Sequence, residues 1–88
     1  MDNQAIISRV NESLAREFEL DAAAMTPEAH LKDGLGLDSL DAVDMVIVLE
    51  RAFSFKIRED EGLQKIRTLG DIHRFVIEKH RQLKGVSG

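Results

Sequence analysis

Three stretches with apolar residues at helical spacing predict an all-α fold, and the one alternating stretch has no strand to pair with. The expected architecture is a small bundle of three main helices plus one short helix, with a long loop between the first and second helices. The chain has 88 residues, enough to close one core without disulfide or metal staples but too few for a cleft between domains. Hydrophobic residues make up 43% and charged residues 32%, an ordinary globular balance with no run long enough to insert in a membrane. Residues 1–84 are expected to form a single domain, with 85–88 (Gly-Val-Ser-Gly) a frayed C-terminal tail.

The first helix is expected over residues 3–19, where Ile6, Ile7, Val10, Leu14 and Phe18 fall on one stripe and Asp2 or Asn3 supplies the N-cap. Residues 20–37 keep no period. They contain Pro27, Gly34 and Gly36 with scattered Leu31, Leu35 and Leu37, and read as a loop with apolar anchors and a short turn at Ala22–Ala24. The strongest signal spans 39–53, with Leu40, Val43, Val46, Ile47, Leu49 and Phe53 at helical spacing and Met45 and Val48 widening the stripe. Asp38 stands in N-cap position and Asp41 lies in the first turn, both at the positive end of the helix dipole. Phe53–Ile57 reads as an extended connector, and 59–65 as a short helix weakened by Gly62. Thr68-Leu69-Gly70-Asp71 has the form of a capping box with Asp in place of Glu, opening a last helix on Leu69, Ile72, Phe75, Val76 and Leu83.

The chain contains no cysteine, which excludes disulfides, thiolate metal sites and cysteine nucleophiles. Its first residues are polar and show no secretory leader, so a cytoplasmic location is expected. Net charge is −4, unevenly spread: residues 1–64 hold 6 Lys+Arg against 14 Asp+Glu, and 65–88 hold 6 against 2. An acidic body argues against nucleic acid, which needs a basic face. The basic last helix reads as a solvated surface.

Gly34-Leu35-Gly36-Leu37-Asp38-Ser39-Leu40-Asp41 is the segment that invites chemistry. A calcium loop fails because leucines stand where oxygen ligands belong. A dinucleotide loop lacks its third glycine and its strand. A hydrolase serine lacks an elbow and an oxyanion hole, and the three histidines, expected at the surface, have no metal-ligand spacing. Modification remains. Ser39 would open a helix after a loop, and a phosphate ester there would lie near free backbone N–H groups and the positive dipole end. On local physics alone Ser39 reads first as an ordinary polar residue at a helix start.

Asp38-Ser39-Leu40 followed by Asp41-Ala42-Val43-Asp44-Met45-Val46-Ile47-Val48-Leu49-Glu50 resembles the prosthetic-group site of acyl carrier proteins. Gly36 before the triplet, Phe53 closing the second helix and Ile57 following it, and Ile66 with Thr68–Ile72 fit the same pattern, so the resemblance spans about residues 6–80. It implies a carrier, not an enzyme. Ser39 would bear a covalent 4′-phosphopantetheine, holding acyl intermediates as thioesters for fatty-acid, lipid or specialised biosynthetic enzymes. The reactive sulfur would then belong to the cofactor, consistent with a chain that has none to offer.

By the same resemblance Asp38 and Leu40 flank the attachment point. Asp41, Asp44, Met45, Glu50 and Arg51 are candidate docking residues on the second helix. The implied partners are a phosphopantetheinyl transferase and the synthases and acyltransferases that load and process the cargo, met by a monomer that neither binds nucleic acid nor enters membranes. Val43, Val46, Ile47, Ile72 and Val76 are candidates to part around a buried acyl chain. Arg51 replaces an acid common in fatty-acid carriers, the 57–66 stretch is long and lacks proline, and the last helix is basic. These departures point to a specialised carrier. The alternatives are an aminoacyl or polyketide carrier, or an unmodified helical interaction module.

Overall fold

The computed structural model describes residues 2–54 and 65–87, the side chains of Ser39 and of residues 83–87 excepted. It contains α1 (Asn3–Phe18), a single 3₁₀ turn at Ala22–Ala24, α2 (Ser39–Phe53) and α3 (Leu69–Ser87), and the described residues form no β-strand. The all-α bundle with a loop between its first two helices is therefore the observed fold. Of the connector expected over Phe53–Ile57 the structure describes Phe53, which ends α2, and Ser54, its C-cap, and of the short helix expected over 59–65 only Lys65.

In α1 the Asp2 carboxylate accepts the Ala5 N–H at 2.8 Å, which makes Asp2 the N-cap. Ile6, Val10 and Leu14 are buried, and the helix ends at Glu19, whose left-handed backbone (φ 54°) lets its N–H reach the Ala15 carbonyl. Arg9, on another face, donates to the Ala52 carbonyl at 3.0 Å and lies over the Phe53 ring, 6.0 Å from its centre. A side chain of α1 thus satisfies one of the carbonyls left open at the end of α2.

The loop after α1 is held at both ends. Met25, Leu31 and Leu37 are buried in the core. The backbone of the loop is stitched to the start of α3: Leu31 N–H to Arg67 O at 3.0 Å, Leu69 N–H to Ala29 O at 3.0 Å, and Gly70 N–H to Pro27 O at 2.8 Å. A Cβ on Gly70 would stand 2.8 Å from that same Pro27 oxygen, so this close approach requires glycine. Gly36 closes the turn with φ +72°, the conformation a side chain would strain.

Thr68 and Asp71 form the expected box at the start of α3. The Asp71 N–H donates to Thr68 Oγ1 at 3.2 Å, and Asp71 Oδ2 accepts the Thr68 and Arg67 N–H groups at 3.1 and 3.0 Å. Those backbone donors, Arg67 first and Thr68 next, hold the Asp71 carboxyl below its ordinary pKa. The helix then runs through Ser87. Gly85 lowers helix propensity by about 1 kcal/mol but keeps its N–H, so it does not end the hydrogen-bond ladder.

The core gathers Ile6, Val10 and Leu14 of α1, Met45 and Leu49 of α2, and Leu69, Ile72 and Val76 of α3 with the loop anchors. Each fully buried aliphatic side chain contributes about 1.5–3 kcal/mol of transfer free energy. Two corrections to the sequence reading follow. In α2 the buried pair is Met45 and Leu49, while Leu40 (77% exposed) and Val43 (60%) lie outside. His73 is buried at 6% exposure, not at the surface, because its Nε2 finds Asn11 Oδ1 of α1 at 2.7 Å.

Candidate functional site

The start of α2 is built by two aspartates. The Asp41 N–H donates to Asp38 Oδ1 at 3.0 Å, and the Asp38 N–H donates to Asp41 Oδ2 at 3.2 Å. This reciprocal capping box fixes Asp38 as the N-cap and Ser39 as the first helical residue. Only Asp38's capping role is legible from the sequence; the return bond from Asp41 is seen in the structure. Asp41 is therefore engaged in the cap and half-buried, whereas Asp38 and Leu40, on either side of Ser39, are exposed. The side chain of Ser39 lies outside the described residues.

The other candidates divide by helical face. Leu40, Val43, Asp44, Ile47 and Arg51 recur at spacings of three and four, so they share one stripe with Glu50 at its edge. Leu40, Val43, Asp44 and Arg51 are exposed and Ile47 and Glu50 half-buried. Met45 lies on the opposite side at 5% exposure, in the core. Its burial removes it from the surface a partner would touch.

Beside this stripe an aliphatic cavity of about 330 Å³ opens between α2 and the segments that flank it, lined chiefly by Leu31, Val43, Met45, Val46, Ile47 and Ile66. Val43, Val46 and Ile47 are residues the sequence nominates for a cargo pocket. Ile72 and Val76 do not line it; they are fully buried in the core. Leu31, Ala42, Met45 and Ile66 also line it, though the sequence does not nominate them for cargo. Leu31 reads only as a loop anchor, and the loop's pairing with Arg67 is what brings the segments of Leu31 and Ile66 together.

A capped helix start flanked by exposed residues, beside an apolar cavity, suits a covalently attached group and has room for one of extended shape. Ser39 and Leu40 occupy the first turn, whose N–H groups have no partner within the helix and favour a phosphate oxygen. Among the described residues no His, Cys, Asp or Glu cluster could hold a metal ion, and no helix is long and apolar enough to cross a membrane.

These features define a helical attachment domain. Residues 8–76 match the family model described as a phosphopantetheine attachment site, and the chain belongs to that family. The family carries a covalently attached 4′-phosphopantetheine, so the protein is a phosphopantetheine carrier, as its resemblance to acyl carrier proteins implies. Domains of this kind are generally non-catalytic and interact with modifying and acyl-processing enzymes.

Proposed function

We propose that Ser39 bears the 4′-phosphopantetheine and that the protein carries acyl intermediates between biosynthetic enzymes of fatty-acid, lipid or specialised type, in the cytoplasm. The observation that carries this reading is the position of Ser39. It is the first residue of α2, set there by the Asp38–Asp41 box and flanked by exposed residues, inside the family match. When bound, the cofactor supplies a thiol on which an acyl group is held as a thioester. The chain's own part is to present the serine to a transferase, to keep the helix start rigid, and to offer the Leu40–Arg51 stripe to partner enzymes. Asp38 serves by capping. Asp44, Glu50 and Arg51 serve as charged docking positions, with Leu40 as an apolar contact beside the attachment point. The apolar character of the cavity's named lining favours an acyl chain as the sheltered cargo.

The test is incubation with coenzyme A and a broad-specificity phosphopantetheinyl transferase, followed by intact-mass measurement. One phosphopantetheine should be added to the wild type and none to Ser39→Ala. A gain that survives the substitution would place the arm on another serine, such as Ser8, Ser13 or Ser54. No gain in the wild type would return the protein to the class of unmodified interaction modules.

A further inference from the structure

His73 is a buried titratable group that the carrier function does not use. It lies one turn into α3, at the seam with α1, where its Nε2 and Asn11 Oδ1 are 2.7 Å apart. A carboxamide oxygen only accepts, so the imidazole donates from Nε2 and an added proton must go to Nδ1. That proton would put a full charge into a side chain that is 6% exposed. Among the described residues no carboxylate is recorded in contact with it. From α1 the facing group is Asn11, uncharged; its titratable neighbours Arg9 and Glu12 are exposed. On α3 the adjacent Arg74 adds positive charge and is itself paired with Asp71, while His80, two turns on, is half-buried. Burial first and Arg74 second press the pKa of His73 below the ordinary 6.5.

The same end of α3 is tied to the loop that leads into α2. Leu31, Ala29 and Pro27 exchange backbone hydrogen bonds with Arg67, Leu69 and Gly70, and a bridge pairs His30 with Thr68. A shift of α3 against α1 therefore pulls on the segment that ends at Asp38. We propose that His73 is an acid-sensitive latch on the α1–α3 seam, whose protonation loosens the start of α3 and, through residues 27–37, the approach to Ser39. The direction follows from linkage. With the folded-state pKa depressed, the seam is intact above 6.5 and weakens as pH falls from 6.5 toward the lower folded value, with no further change below it.

The inference does not depend on attachment at Ser39, so it is read on unmodified protein. In the 88-residue chain carrying His30→Gln and His80→Gln, His73 is the sole imidazole. Proton–nitrogen NMR spectra are recorded from pH about 7.5 to about 5, a range that brackets imidazole titration. The expected result is a His73 midpoint below 6.5, shared by the amides of residues 27–37 and 67–73. Hydrogen exchange at Leu31, Leu69 and Gly70, corrected for its intrinsic pH dependence, should speed up as pH falls from 6.5 toward that midpoint and level off below it. Adding His73→Gln should abolish the transition. A loop transition that persists in that variant, or a His73 titration that the loop does not follow, overturns the proposal. If His73→Gln does not fold, Arg74→Gln serves instead. Removing that charge should raise the shared midpoint, and a loop transition that stays in place overturns the latch.

Discussion

Leu40 and Met45 stand little more than one turn apart in α2 and have opposite surroundings. Met45 packs in the core with Leu49, whereas Leu40 keeps 77% of its surface in water beside the serine proposed to carry the cofactor. An exposed leucine does little for folding, so its value is in contacts still to be made. The two side chains should separate cleanly under substitution. Met45→Ala removes a buried side chain and leaves a cavity, and should cost about 2–4 kcal/mol in urea-induced unfolding. Leu40→Ala should change stability by less than about 0.5 kcal/mol while slowing phosphopantetheinyl transfer several-fold. Equal unfolding midpoints for the two variants would mean that the faces of α2 are assigned the wrong way round.

At the scale of the element, what holds the loop and α3 together is local capping plus backbone pairing. Thr68 does both: its Oγ1 accepts the Asp71 N–H, and its neighbours pair with the loop. Thr68→Ala should cost about 1 kcal/mol, typical of a lost N-cap, and lower the melting temperature by about 4–8 °C for a domain of this size. Differential scanning calorimetry would decide it; an unchanged transition would show that the backbone bonds alone set the helix start. The capping box at α3 was legible because it depends on residue types a fixed distance apart, and so were the three helices, whose apolar spacing is local. The inward face of α2 was not. From Ala42 to Leu49 every residue but Asp44 is apolar, so helical spacing admits several stripes, and only packing against α1 and the loop selects Met45 and Leu49. His73 was missed for the converse reason. A polar residue inside an apolar stripe reads as surface until its partner, Asn11, distant in sequence, is seen. The loop-to-α3 stitching uses main-chain groups common to every residue and leaves no mark in composition.

Over the whole molecule, charge is unevenly spread, acid exceeding base through residue 64 and base exceeding acid after it. Asp38 and Asp44 are exposed near the start of α2, Arg51 is exposed near its end, and the cationic surplus sits in residues 65–88. Such a layout acts over about 8–10 Å at physiological salt, far enough to orient an encounter but not to hold a complex. The resemblance to acyl carrier proteins implies partners that present basic patches to this helix. The second-order rate of phosphopantetheinyl transfer should therefore fall as salt is raised from about 0.05 to about 0.5 M, through slower association, with the chemical step unchanged. Asp44→Lys should lower that rate at low salt and flatten its salt dependence. Arg51→Glu, on the same stripe but of opposite sign, should raise the rate and steepen the dependence. Stopped-flow measurement at several ionic strengths separates these effects from loss of fold, because the rates of all three proteins should converge at high salt, where charge is screened. Rates that differ by the same factor at every salt concentration would mean that these side chains act by shape, and the charge layout would then have no part in choosing partners.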